Sequence, residues 1–254
     1  MTYDTLRDEF FYRIKRYFGP RWGYSGDYSS IESIKDRTSW DDERIFNEFK
    51  NSLRLVKSGD ALFERDGKPV RKPEVDRLSF PLLSSLLYIA AAEKRLDVLD
   101  YGGGSGSTYW HYGKYIPTEK YWTVSDQQHI IDYCKIFFIE KDIKFIEEHD
   151  SIFADVFLIS SVLHYLEKPY ELLTKIDKEH KYKYILIART TITNRDRLTK
   201  QTVNPKIYPM RFPVWFLSRT KVPETFSNYE VIFHWEDEPI TTIGNIGGWL
   251  FKRK

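Results

Sequence analysis

Leu96-Asp97-Val98-Leu99-Asp100-Tyr101-Gly102-Gly103-Gly104-Ser105-Gly106-Ser107 sets four glycines within five positions directly after an apolar run. The run reads as a buried strand. The glycines read as a loop opening a helix, where a ligand can approach backbone amides with no Cβ in the way. Around this stretch, helical patterns alternate with short apolar runs. The spacing predicts a helix over 81–94, strands over 96–100, 121–125, 143–146, 155–160 and 184–188, and helices over 127–139 and 169–178. That alternation argues for a parallel α/β sheet, Rossmann-like, with helices over both faces. Residues 229–235 and 248–252 are two strands with no helix between them, so they pair as an antiparallel hairpin at the end of the sheet. The glycine loop then lies at the first strand-to-helix crossing, the binding edge of such a fold.

Upstream, the pattern is helical. Leu6, Phe10, Ile14 and Phe18 recur at four-residue steps over 3–18, and Gly19-Pro20 ends that helix. A glycine- and aromatic-rich loop follows over 22–28. A second helix over 41–57 carries Ile45, Phe49, Leu53 and Val56, with Asp41 and Asp42 in its first turn and Gly59 as its stop. Residues 1–75 are therefore expected to form a helical extension over the binding edge, and residues 76–254 the sheet domain.

With 39 Lys and Arg against 37 Asp and Glu, the chain carries a formal charge of +2, too little to imply a nucleic-acid partner. The single cysteine, Cys134, rules out an internal disulfide and points to a reducing compartment. The most apolar stretch, 81–92, contains Ser84 and Ser85 and falls short of the roughly 20 residues of a membrane span. The first ten residues, MTYDTLRDEF, carry acids from Asp4 onward and lack the apolar core of a secretory signal. A cytoplasmic protein with no transmembrane segment is expected. The six histidines, at 111, 129, 149, 164, 180 and 234, have no metal-ligand spacing, so no metal site is expected.

The loop's spacing narrows its ligand. A dinucleotide fingerprint read from Gly102 puts Ser107 at the third glycine, and one read from Gly104 puts Tyr109 there. A phosphate-binding loop would need a Gly-Lys-Ser/Thr end, and no lysine follows before Lys114. What remains is D-x-G-x-G-x-G, from Asp100, Gly102, Gly104 and Gly106. This pattern resembles that of class I S-adenosylmethionine-dependent methyltransferases, and the C-terminal hairpin resembles the one that marks their seven-stranded sheet. DVLDYGGGSGSTYW, WTVSD, DVFLISSVLHYLEKPYELL, ILIARTTI and QTVNPKIYP resemble a family of methyltransferases found among bacterial surface-polysaccharide biosynthesis genes. The resemblance runs through nearly the whole chain and includes GYSGDYSSIESI and ALFERDG. Local departures are Ser125, where a hydrophobic residue is usual, and His164, where glutamine is commoner.

The resemblance implies S-adenosylmethionine as cofactor, held by Gly102, Gly103, Gly104 and Gly106. It sets Asp100 near the methionine amino group and offers the Ser160 and Ser161 carbonyls to the same cation. Glu147 or Glu148 falls where such enzymes recognise adenine. Asp126, twenty residues after Gly106, is placed to accept the two ribose hydroxyls or, alternatively, to cap the following helix. Tyr109, Trp110 and the 24–28 segment are candidate aromatic walls for a sulfonium, or core packing. His164, just past the fourth strand, is a candidate general base. Arg189 ends a buried strand and needs either a carboxylate partner within the fold or an anionic ligand. The implied acceptor is a saccharide or nucleotide sugar of a surface glycan, O-antigen or capsule, made in contact with membrane-associated assembly machinery. It is expected over the carboxyl ends of the strands, against the polar insert after the fifth. Two other classes stay open: an NAD-dependent sugar oxidoreductase, and a non-catalytic adenosyl-binding partner.

Overall fold

A computed structural model describes residues 23–72, 79–138, 143–147, 153–204, 210–237 and 243–254. The expected helix over 3–18 and the candidate Glu148 lie outside them. The sheet is built on strands buried from both sides. β4 (Arg95–Tyr101) pairs in parallel with β5 (Glu119–Ser125) and with β7 (Val156–Ser160). β6 (Ile143–Ile146) adds beyond β5, and β8 (Tyr184–Thr193) beyond β7, both parallel. β12 (Asn245–Arg253) then runs antiparallel to β8, with β11 (Tyr229–Glu236) antiparallel beside it. The strand order β6-β5-β4-β7-β8-β12-β11 reverses direction outward from β4, which puts the crevice at the carboxyl ends of β4 and β7.

Strand periodicity divides the core into two. Leu158, Leu186 and Leu250 face one cluster, with Leu82, Leu86 and Ile89 of α2 (Phe80–Glu93) and Ile131 of α4 (Gln128–Phe137). Their neighbours Phe157, Ile159, Ile185, Ile187, Trp249 and Phe251 face the other, with Leu173 and Ile176 of α5 (Pro169–Glu179).

Two expectations need correction. The sheet holds ten described strands, not seven. β8 continues past the end of β7, and its Ile192 and Thr193 pair in parallel with β10 (Arg211–Ser218). β9 (Arg197–Thr202) lies antiparallel to β10, and β1 (Gly23–Tyr28), expected to be a loop, lies antiparallel to β9. β9 is too polar to read as a strand by itself. It forms because Phe212, Val214 and Phe216 of β10 bury an alternating face beside it.

The extension is likewise not wholly helical. Its described helix, α1 (Glu43–Ser58), keeps the expected limits: the Asp42 carboxylate accepts the Arg44 N–H at 2.9 Å, and Gly59 closes it at φ +85°. A hairpin of β2 (Phe63–Arg65) and β3 (Lys68–Val70) follows. Asp66 and Gly67 at φ +50° and +75° form its two-residue turn, and Ser52 of α1 donates to the Gly67 carbonyl at 2.8 Å.

Candidate functional site

The glycine loop leaves β4 through three left-handed glycines, Gly102, Gly104 and Gly106, at φ +69°, +59° and +81°. The Gly102 N–H donates to the Ser125 carbonyl at 2.7 Å, fixing the loop to β5 before the six-residue α3 (Ser107–Tyr112) begins. Packing accounts for three of the four glycines. A Cβ on Gly102 would meet Val162 at 2.6 Å, one on Gly103 the Asp100 carboxyl at 2.7 Å, and one on Gly106 the Ile143 side chain at 2.2 Å. Gly104 differs: nothing lies within 4 Å of its would-be Cβ, so the loop is open there.

Carboxylates gather around that opening. Asp100 is 1% exposed; the Trp122 indole N–H donates to it at 3.1 Å, and burial pushes its pKa up to about 7. Asp126 Oδ2 accepts the Gly104 N–H at 2.8 Å while Oδ1 accepts the Gln127 N–H at 2.7 Å. Burial raises the pKa of Asp126 as well. The N-cap of α4 is Gln127 and has no side-chain cap bond, so Asp126 is tied to the glycine loop and does not cap that helix. Each carboxylate oxygen keeps accepting capacity for a further donor.

At the end of β7, in the turn after it and in the part of β8 that runs beyond it, buried polar atoms lack partners among the described residues: Ser160 Oγ, His164 Nδ1 and Thr190 Oγ1. Such atoms are costly unless a ligand or water completes them. Ser161 and Arg189 both sit in the left-handed region, at φ +63° and +53°, and the Ser161 N–H donates to the Ala188 carbonyl at 3.0 Å. Burial, then the neighbouring Arg189 guanidinium, pushes the His164 imidazole down to about 3. Arg189 has its carboxylate partner in the fold: its Nη2 lies 3.2 Å from Asp66 in the hairpin turn. Glu147 is exposed and engaged by Gln128 and by Lys135, the latter at 3.6 Å. Tyr109 and Trp110 pack into the core beside Trp122 and Phe138, with the Trp110 indole N–H donating to the Ser105 carbonyl at 3.0 Å.

β10 packs against the turn that follows β7. The Tyr165 hydroxyl donates to Gln201 at 3.0 Å, and Gln201 donates to Tyr24 at 3.2 Å, joining the turn after β7 to β9 and β1. Trp40 stacks on Phe212 at 4.4 Å and meets Tyr165 edge-on at 4.9 Å. Sequence reasoning did not find Glu64, whose carboxylate accepts from Ser105 in the loop at 2.5 Å. The Asp-Gly turn two residues later was the signal available for it.

No family model matches the chain, and no curated protein matches it in sequence. Solved structures do match in fold. Magnesium protoporphyrin IX methyltransferase from Synechocystis PCC 6803, with bound SAH, aligns at TM-score 0.51 and 10% identity, over 85% of this chain and 97% of that one. A LepI variant in complex with SAH and a substrate analogue aligns at TM-score 0.50 and 13% identity, over 83% of this chain and 55% of that one. The chain spans 47% to 64% of the length of the first structures it matches. At these identities the likeness defines the fold: a mostly parallel α/β sheet of the kind found in methyltransferases. No described helix is long and apolar enough to cross a membrane.

Proposed function

We propose that this chain is an S-adenosylmethionine-dependent methyltransferase that binds its donor over Gly104 and methylates a hydroxyl of a saccharide or nucleotide sugar in surface-glycan assembly. The observation that carries the donor reading is the open position at Gly104, bordered by Asp100 and Asp126 at the crevice of the sheet. The comparisons add that SAH occupies structures of the same fold. The resemblance to the polysaccharide-cluster family supports the acceptor class, and so does the exposed ring of Trp40, held by Phe212 and Tyr165 near the polar Gln201.

The donor supplies a methyl group on a positively charged sulfur, which leaves as a neutral thioether. The protein's part is to orient and to balance charge. Gly102 and Gly106 hold the loop's left-handed path, and Asp126 grips the Gly104 amide while offering its remaining lone pairs to ribose hydroxyls. Its removal should weaken donor binding by about 1.5–3 kcal/mol, the range of a hydrogen bond to a charged group. Titration calorimetry of Asp126→Ala checks this, and an unchanged affinity would take Asp126 out of the donor site. Asp100 faces the loop at Gly103 with a carboxyl half-protonated near neutral pH, ready to ionise against an ammonium.

The acceptor hydroxyl must also lose its proton. An imidazole held near 3 is neutral at pH 7 but a weak base, and Arg189 opposes the imidazolium that proton transfer would create. His164 therefore positions the acceptor, and the proton passes to water. His164→Gln is expected to keep kcat within about tenfold, whereas a general base would cost about 100-fold or more. Steady-state kinetics decides between them.

The overall reading is tested by incubating the chain with methyl-labelled S-adenosylmethionine and total glycan extract. Label in the saccharide fraction, stable to mild base as a methyl ether is, supports it. Donor binding without transfer to any fraction would instead mark a non-catalytic adenosyl-binding protein.

A further inference from the structure

Glu64 is 3% exposed, yet it carries an acid under the glycine loop. One carboxylate oxygen accepts from Ser105 Oγ at 2.5 Å, and the other accepts the Gly67 N–H at 2.6 Å. Both partners are neutral. The charged groups around it are mainly of its own sign: Asp66 in its own turn and Asp126 at the end of β5 both raise its pKa. From α4 it faces the thiol of Cys134, itself raised by burial and then by Glu64 and Asp126. Arg65 beside it lies over the Phe63 ring and meets His111 of α3, and Arg189 engages Asp66. From α1, Ser52 binds the Gly67 carbonyl, and Lys68 pairs with Glu48 at 2.8 Å.

A buried carboxylate with two neutral hydrogen bonds and acidic neighbours is costly to ionise. The cost falls if a cation completes the cluster. The place for one is the opening at Gly104, the residue between Ser105, which Glu64 holds, and Gly103, which packs on Asp100. An independent sign of a ligand there is Ser160 Oγ, a buried atom with no partner among the described residues: register pairs Tyr101 with Ile159, so Ser160, the last residue of β7, lies beside the start of the loop.

We propose that Glu64 is a donor-site residue whose negative charge selects the cationic sulfonium donor over the neutral thioether product. The inference rests on the donor reading above. It assigns the β2–β3 hairpin a part in binding that the glycine loop, Asp100 and Asp126 do not cover.

Glu64→Gln is the discriminating change. The amide keeps both hydrogen bonds, accepting from Gly67 and donating to the Ser105 hydroxyl, and removes only the charge. Calorimetry at pH 8 should show S-adenosylmethionine bound at least about tenfold more weakly and S-adenosylhomocysteine less than about threefold more weakly. Stability should move the other way. Because the folded-state pKa of Glu64, about 7, lies above its ordinary value of 4.5, ionisation removes stability from the ligand-free protein as pH rises through that window. At pH 8 the ligand-free Tm of Glu64→Gln should therefore equal or exceed the wild-type value. Ser105→Ala gives a second reading. Losing that hydrogen bond raises the pKa of Glu64 further, so more protons should be released on donor binding at pH 7.5, measured in buffers of different ionisation enthalpy. Equal losses for both ligands in Glu64→Gln, or unchanged proton release in Ser105→Ala, would overturn the role of Glu64. A wild-type chain that binds neither ligand would overturn the donor reading and this proposal together.

Discussion

A chain shortened to begin at residue 76 is expected to be poorly soluble and to bind no donor. Three losses combine. Removing α1 strips Phe49 and Leu53, both at most 5% exposed, from the core they share with α2 and the sheet. Each fully buried side chain of this size contributes about 1.5–3 kcal/mol, a large part of the margin of a domain. Removing β1 frees an edge of β9, an invitation to strand pairing between molecules. Removing the hairpin takes Glu64 from Ser105 and Asp66 from Arg189, leaving a buried hydroxyl of the loop without its acceptor. Sedimentation and donor titration read the result. A stable, fully active 76–254 chain would show the extension to be a separate module.

Gly104→Val is expected to abolish measurable donor binding, a loss of at least about 100-fold, or about 2.7 kcal/mol. The open space that lets the fold accept a side chain at Gly104 is the space assigned to the donor. At φ +59° a β-branched residue is strained by about 1–2 kcal/mol or more, so a fall of several degrees in Tm accompanies the loss. Gly106→Val makes the contrast, because its Cβ would lie 2.2 Å from Ile143 and the fold itself would suffer. A folded Gly104→Val protein with near-wild-type affinity would remove the loop from the site.

The parallel core was legible because its strands are short, apolar and set between amphipathic helices. β4 to β8 appear within a few residues of where the alternation predicted them, and the C-terminal hairpin pairs as expected. What escaped was structure held by partners distant in sequence. β9, with Arg197, Lys200 and Gln201, has no apolar face of its own and becomes a strand only between β1 and β10. Glycine in β1 likewise read as a loop. The loop's glycines were legible as a group, but their separate reasons were not: Val162, Asp100 and Ile143, which enforce three of them, come from the length of the sheet domain. Arg189 shows the same limit. The sequence set it at a strand end, whereas β8 runs on past it to Thr193; the guanidinium called for a carboxylate, and Asp66, 123 residues earlier, could be found only in three dimensions.

The central claim, that the glycine loop holds a sulfonium donor, is tested most directly by titrating S-adenosylmethionine and NAD into the full chain by calorimetry. Saturable binding of S-adenosylmethionine at one site per chain is expected, displaced by S-adenosylhomocysteine, with no comparable binding of NAD. Binding of NAD with no heat from S-adenosylmethionine would contradict it.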